Sequence, residues 1–242
     1  MLLLLAGTSE ARALARELAD RKIPAIATLA GATRMPERLA LPTVVGGFGG
    51  AEGFERFLDE HAITAVLDAT HPFATAISAR TARIARARGL AHLLLLRPEW
   101  VPGPGDNWTT IAREEEAAEH IPPGATVFLA TGRQNLSGFA NLAGRRLICR
   151  RIDAPKAPFP WPNGEYLLGR GPFSLADEVA LFRRLGIDWL VVRNAGGTSS
   201  RAKLDAAREL GLPVAMIARP PAPEAETVET VEQALEWVRA RQ

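Results

Sequence analysis

Short apolar runs alternate with amphipathic stretches along nearly the whole chain. The first run, Leu2–Ala6, stops at a glycine and two hydroxyl residues, Gly7-Thr8-Ser9. A stretch with helical spacing follows, in which Leu14 and Leu18 share one face and charged residues occupy the other. Such alternation of buried strands with amphipathic helices is typical of α/β folds with mainly parallel sheets.

The pattern is interrupted by a turn-rich segment at 101–107 that combines prolines with glycines. We expect a domain boundary there, because such segments commonly connect compact units. The predicted domains are 1–105 and 106–242, and the last helix, predicted over 228–239, is a candidate to pack back on the first domain. The predicted fold is α/β, with two Rossmann-like three-layer α/β/α halves, mainly parallel sheets and an active-site cleft between the halves.

Composition narrows the class of protein. Of the 242 residues, 47% are hydrophobic, which is enough for a substantial core. The single cysteine, Cys149, excludes a disulfide framework, and the four histidines are scattered, so no metal site is expected. We find no signal-peptide pattern and no apolar stretch of membrane-spanning length, and therefore expect a cytoplasmic protein without a membrane partner.

Arginine dominates the basic residues, since lysine occurs only at positions 22, 156 and 203. A GC-rich genome explains that overall bias, but it does not explain where particular arginines fall. Five of them lie at or just beyond predicted strand ends: Arg97, Arg133, Arg170, Arg193 and Arg219. Guanidinium groups on one rim suit a polyanionic ligand. Nucleic acid is not expected, because the net charge is only +2 and the sequence has no basic stripe.

The turn Gly7-Thr8-Ser9 is a candidate anion site. Backbone N–H groups and the positive end of the helix dipole converge where a strand passes into a helix. The turn lacks the three glycines of the dinucleotide-binding fingerprint, because Ser9 and Ala11 stand where further glycines are usual. Two readings stay open: a dinucleotide phosphate site, or a helix N-cap formed by Thr8 or Ser9.

The end of the second predicted strand bears on the choice of cofactor. NAD-binding folds usually place a carboxylate there for the ribose 2′-hydroxyl, whereas here the strand is followed by a loop with Thr33 and Arg34. A 2′-phosphate is tolerated in such a loop, and Arg34 is a candidate partner for it. This favours NADPH over NADH; the alternative is that Arg34 is a solvated loop residue.

A second candidate turn, Asp68-Ala69-Thr70-His71-Pro72-Phe73-Ala74, follows the strand predicted over 65–68. Open α/β sheets bind ligands beyond the carboxyl ends of their strands, so this turn is expected beside the first one. His71 is a candidate proton donor, cofactor contact or helix cap, and Pro72 is expected in the first turn of the next helix.

The second half of the chain contains an echo of the opening turn. Gly197-Thr198-Ser199 is followed by Ala207-Arg208-Glu209-Leu210, as Gly7-Thr8-Ser9 is followed by Ala15-Arg16-Glu17-Leu18. Duplication of a βαβ unit and convergence on a common α/β solution explain this equally well. Either origin predicts a second anion-binding turn at 196–200.

Taken together, these motifs resemble the precorrin-6A reductase family of cobalamin biosynthesis. The segment 68–74 carries the most specific resemblance, supported by Gly7–Ala11, Gly171–Ser174, Asn194–Gly197 with Lys203–Ala207, and Arg219-Pro220. They span nearly the whole chain in the family's order. Where the family typically has lysine and then a serine-glycine pair, this chain has Arg193 and Ala195, so the charge is kept but a hydroxyl is lost.

The resemblance implies NADPH-dependent reduction of precorrin-6A to precorrin-6B, with a hydride and a proton added across one macrocycle double bond. It implies a cofactor site at Gly7, Thr8, Ser9, Thr33, Arg34, Thr70 and His71, with His71, solvent or the substrate's acidic groups as the proton donor. It implies a substrate site for the carboxylates of an acidic tetrapyrrole at Arg97, Arg133, Arg170, Arg193, Gly196, Gly197 and Lys203. We further expect a monomer, with handover of the product to the next pathway enzyme as an additional hypothesis. Reduction of another polycarboxylate metabolite and non-catalytic nucleotide sensing are the alternatives.

Overall fold

The computed structural model describes residues 1–31, 38–132, 136–155 and 157–241. The strands are β1 (Leu2–Leu5), β2 (Ala25–Leu29), β3 (Thr43–Val45), β4 (Ala65–Asp68), β5 (Ala91–Leu95), β6 (Trp108–Ile111), β7 (Thr126–Leu129), β8 (Arg146–Arg151), β9 (Gly164–Leu168), β10 (Trp189–Arg193), β11 (Val214–Ile217) and β12 (Glu226–Val228). The helices are α1 (Ser9–Asp20), α2 (Ala51–Glu60), α3 (Thr75–Arg88), α4 (Ala117–His120), α5 (Leu175–Leu185), α6 (Ala202–Leu210) and α7 (Val231–Arg239).

Contacts divide the chain into two compact units. The first contains Met1–Pro98 together with Pro220–Gln242, and the second contains Glu99–Arg219. The first unit ends between Pro98 and Glu99 instead of between 105 and 106, and the end of the chain returns to the first unit, where the last helix was a candidate to pack. There β12 pairs with β5, and α7 packs against α1.

The first unit is built on a six-stranded sheet in the order β12-β5-β4-β1-β2-β3, and its neighbouring strands are parallel. β1 lies near the middle and is buried on both faces. Its alternation puts Leu2 and Leu4 in a core with α1 and α7, and Leu3 and Leu5 in a core with α2 and α3. A continuous run of leucines is therefore what this central parallel strand requires.

The last helix begins three residues later than predicted, at Val231 instead of Val228. The extended residues before it, Glu226–Val228, form the edge strand β12, which the sequence pattern did not reveal. A capping box then starts the helix: Thr230 accepts from the N–H of Gln233, whose side chain accepts from the N–H of Thr230.

The second unit has its own six-stranded parallel sheet, in the order β6-β11-β10-β7-β8-β9. Helices α5 and α6 cover one face, where Phe182 and Leu204 pack with Phe128 of β7 and Leu190 of β10. The helix predicted over 114–120 is split, since its first turn is a 3₁₀ helix and only 117–120 is α-helical. Among the described residues, no helix has the length and apolar character needed to cross a membrane.

Candidate active site

Gly7 forms the sharp turn between β1 and α1. Its φ of 156° is one that side-chain-bearing residues rarely adopt, and a Cβ placed there would meet nothing within 4 Å. The backbone at this turn is therefore open to close approach by a ligand. Glycine is needed here for its conformation.

Thr8 is the N-cap of α1, so one of the two readings of the opening turn is confirmed for this residue. Its Oγ1 accepts from the N–H of Ala11 at 3.1 Å and donates to the carbonyl oxygen of Ala69 at 2.8 Å. The hydroxyl thus joins the turn after β1 to the turn after β4. Both turns lie at the carboxyl edge of neighbouring parallel strands, where open α/β sheets bind ligands.

Ser9, Glu10 and Arg97 form a charged cluster at the start of α1. The Glu10 carboxylate accepts from Ser9 Oγ at 3.1 Å and from Arg97 Nη1 at 2.6 Å. Partial burial acts to raise the pKa of this carboxyl, but its own backbone N–H and the Arg97 charge outweigh it and hold the pKa below its ordinary value. Two hydrogen-bond donors at this helix start, Ser9 Oγ and Arg97 Nη1, are therefore directed at the Glu10 carboxylate.

The turn after β4 is held by a fully buried carboxylate. Asp68 Oδ1 accepts from the N–H of Thr70 at 3.0 Å, and Thr70 Oγ1 lies 3.2 Å from Ser78 Oγ on α3. His71 Nδ1 accepts from the N–H of Phe73 at 3.2 Å. A neutral imidazole that accepts at Nδ1 carries its hydrogen on Nε2.

The predicted place of Pro72 is wrong, because α3 starts at Thr75 with Ala74 as its N-cap, and Pro72 lies in the turn before it. The reason is the hydrogen bond from Ala74 N to the carbonyl oxygen of His71, which closes a turn ahead of the helix. A pocket opens beside this turn, and its lining includes Thr70, His71, Ser78, Leu94, Leu96, Pro220 and Pro221.

Several predicted substrate-binding residues lie in the second unit. Arg193 Nη2 donates to Glu114 Oε1 at 2.9 Å, and Arg170 Nη2 lies 3.8 Å from Asp153 Oδ1. Each cation therefore has an acidic neighbour in its own unit. A substrate carboxylate would have to share the cation with this neighbour or displace the neighbour.

Gly197 and Lys203 meet at one tryptophan of the second unit. Trp100 Nε1 donates to the carbonyl oxygen of Gly197 at 2.7 Å, while Lys203 Nζ lies 5.6 Å from the centre of the Trp100 ring. Lys203 Nζ also donates to the carbonyl oxygen of Ser200 at 2.6 Å. Gly196 and Gly197 both have positive φ, at 67° and 75°, so this turn needs its glycines.

The echo of the opening turn is only partly structural. Both turns follow a parallel strand and precede a helix, but Thr8 caps α1, whereas α6 starts after Arg201 without a side-chain cap. The predicted anion-binding turn at 196–200 therefore stays a prediction.

Other outcomes concern single residues. Thr33, Arg34 and Arg133 lie outside the described residues. Sequence reasoning missed Glu10, although an acidic residue in a helix's first turn is a recognisable signal for a charge at that helix start. It also missed Trp100, because its partner Gly197 lies 97 positions away in the sequence and the contact leaves no local signature.

The fold defines a protein of two parallel α/β units, in which the first strand ends at a glycine turn that leads into a capped helix. Residues 1–239 match the family model described as "Precorrin-6x reductase CbiJ/CobK", and the chain belongs to this family.

Two similar relatives are both called precorrin-6A reductase. The one from Rhodococcus erythropolis is 47% identical over 240 residues, covering 98% of this chain and 96% of its own. The one from Rhodobacter capsulatus is 39% identical over 238 residues, covering 98% and 95%. A solved structure of CobK precorrin-6A reductase superposes with a TM-score of 0.92 at 38% identity, covering 99% of this chain and 96% of that one.

Proposed function

We propose that this chain reduces precorrin-6A to precorrin-6B with NADPH as a step of cobalamin biosynthesis. Membership of the precorrin-6x reductase family supports the substrate. The observation that carries the cofactor assignment is the donor set at the start of α1, where Ser9 and Arg97 already hold a carboxylate. Phosphate oxygens are acceptors of the same kind, so this donor set fits the pyrophosphate of a dinucleotide.

Gly7 and Ser9 are the proposed holders of the pyrophosphate, and Thr70 and His71 are the proposed neighbours of the reacting end of the cofactor. NADPH, when bound, supplies the hydride, while the protein supplies orientation and electrostatics. Thr8 contributes indirectly, because its hydroxyl caps α1 and ties the first turn to Ala69. Preference for NADPH rests on the absence of a carboxylate at the end of β2 and on Arg34.

His71 is proposed to act as a neutral hydrogen-bond donor. The N–H of Phe73 donates to its Nδ1, which leaves the ring hydrogen on Nε2. An imidazolium would need a hydrogen on Nδ1 as well and would lose this contact. His71 therefore suits polarisation of the double bond that is reduced, with solvent or the substrate's acidic groups delivering the proton.

The substrate carboxylates are proposed to meet cations of the second unit: Arg170, Arg193 and Lys203, with Gly196 and Gly197 supplying backbone donors. Guanidinium groups pair well with carboxylates, and Arg193 is already oriented by Glu114. The predicted contributions of Arg133 and of a cleft between the two halves stay predictions.

An anaerobic assay of NADPH oxidation with precorrin-6A tests this function. We expect turnover with NADPH, much weaker turnover with NADH, and a fall in kcat of roughly 10²-fold for His71→Phe, because one polarising hydrogen-bond donor is lost. Absence of NADPH oxidation by folded protein would contradict the proposed function. An unchanged kcat for His71→Phe would refute the role of His71 and leave the proposed function standing.

The remaining assignments are a monomer, a cytoplasmic location and transfer of product to the next pathway enzyme. They follow from the resemblance and from the sequence. Light scattering of the purified protein tests the first of them, and a mass twice that of the 26.1 kDa chain would contradict it.

A further inference from the structure

The Glu10 carboxylate occupies the position that an anionic ligand would take at the start of α1. It accepts from Ser9 Oγ and from Arg97 Nη1. The contact is also well shielded, since the side chains of Arg97 and Glu10 are only 11% and 20% exposed. A surface ion pair of little consequence would be more exposed than this.

The position of the pair in the sheet is equally informative. Glu10 follows β1 and Arg97 follows β5, and β4 lies between these two strands. A bond between Glu10 and Arg97 therefore spans the edge at which β4 ends, beside the turn that carries Thr70 and His71. The pair and the proposed cofactor site occupy the same edge of the first unit.

We propose that the Glu10 carboxylate competes with the cofactor pyrophosphate for the same donors. When the dinucleotide binds, Arg97 and Ser9 exchange their hydrogen bonds to Glu10 for hydrogen bonds to a phosphate oxygen. This inference rests on the proposed function and deepens its cofactor site. It assigns Arg97 to the cofactor, whereas the sequence predicted a substrate-binding role. A carboxylate and a phosphate repel each other, so they do not share one set of donors without cost.

A purely structural role for Glu10 makes a different prediction. Acidic residues in the first turn stabilise a helix through its dipole, and Glu10 does so whether or not a cofactor binds. In that case Glu10→Gln would lower the melting temperature slightly and leave nucleotide affinity unchanged. If Glu10 competes with phosphate, the same substitution strengthens nucleotide binding.

The test is equilibrium binding by calorimetry, with NADP⁺ and ADP as probes because both carry a pyrophosphate. Glu10→Gln and Glu10→Ala are expected to bind both probes at least ~10-fold more tightly, since a like charge next to a phosphate is removed. Arg97→Met is expected to bind both at least ~10-fold more weakly, because a phosphate partner is lost.

Glu17→Gln is the matched control. Glu17 lies on the same helix and pairs with Arg21 at 2.7 Å, but away from the turn and at 44% exposure. The affinity of the Glu17→Gln variant for both probes is expected to equal that of the unaltered protein. Circular dichroism of each variant shows whether it is folded, and the two Glu10 substitutions provide independent measurements.

Two outcomes separate this inference from the function on which it rests. If the unaltered protein binds NADP⁺ and the Glu10 variants bind no more tightly, the competition is refuted and the proposed function stands. If neither the unaltered protein nor the folded Glu10 variants bind NADP⁺ or ADP, the cofactor assignment itself is wrong, and the inference falls with it.

Discussion

A buried ion pair holds α5 against the sheet of the second unit, and its removal is the sharpest stability test that the fold offers. Arg150 Nη1 and Nη2 donate to the two carboxylate oxygens of Glu178 at 2.8 and 2.6 Å. The Arg150 guanidinium also lies 5.0 Å from the centre of the Phe128 ring and 4.3 Å from that of Phe173. The Arg150→Met substitution would keep the aliphatic stem and remove the charge.

The magnitude follows from burial. The side chains of Arg150 and Glu178 are 11% and 3% exposed, so Arg150→Met leaves a carboxylate buried without its partner. Breaking such a pair costs about 3–5 kcal/mol, which corresponds to a fall in melting temperature of about 6–20 °C for a chain of this size. Replacing both partners, as in Arg150→Met/Glu178→Leu, is expected to restore most of the loss, because no unpaired charge remains.

Thermal unfolding followed by circular dichroism measures this effect, and Arg146→Met is its control. Arg146 lies on the same strand and pairs with Glu165 at 2.6 Å, but the two side chains are 52% and 54% exposed. Its loss is expected to cost no more than about 1 kcal/mol. Equal shifts for Arg146→Met and Arg150→Met would refute the reasoning from burial, as would a double variant no more stable than Arg150→Met.

Two further predictions concern the first unit. Gly53→Ala is expected to lower the free energy of unfolding by about 1–3 kcal/mol despite alanine's better helix propensity, because its Cβ would lie 1.6 Å from the carbonyl oxygen of Phe48. Gly47→Ala, which meets nothing within 4 Å, is the near-neutral control in the same urea titration. Burial lowers the pKa of His92 below its ordinary value of 6.5, partly offset by the Asp68 charge. Between the lowered folded-state pKa and 6.5, the unfolded chain therefore binds a proton that the folded chain does not. Over this window, stability falls as the pH falls, by less than about 1.4 kcal/mol per pH unit. Urea unfolding of His92→Gln is expected to lack this contribution, and an unchanged pH dependence would contradict it.

The sequence predicted the strands and helices that have a strong local signal. β1 and α1 are examples, because a leucine run, a glycine and a capping threonine lie within a few residues of one another. Of the edge strands, β3 was predicted and two others were missed. β6 (Trp108–Ile111) and β12 (Glu226–Val228) have only four and three residues, and they pair with β11 and β5. Only the tertiary fold determines that pairing.

The same distinction applies to the site. Gly7 and Thr8 were predicted correctly as a turn and a helix start because their roles are local. The partners of the arginines were not predictable, since Arg97 reaches Glu10 from 87 positions away and Arg193 reaches Glu114 from 79. Arginines at strand ends thus indicate a charged rim, but they do not reveal which carboxylate each one contacts.

Transfer of deuterium from NADPH to precorrin-6A tests the central claim most directly. The experiment uses two preparations of NADPH, each deuterated on one face of the reactive nicotinamide carbon, under anaerobic conditions. We predict that mass spectrometry finds one deuterium in the reduced tetrapyrrole from one preparation and none from the other, because a fixed cofactor presents a single face to the substrate. A reduced product without deuterium from either preparation, or no reduced product at all, would contradict the account.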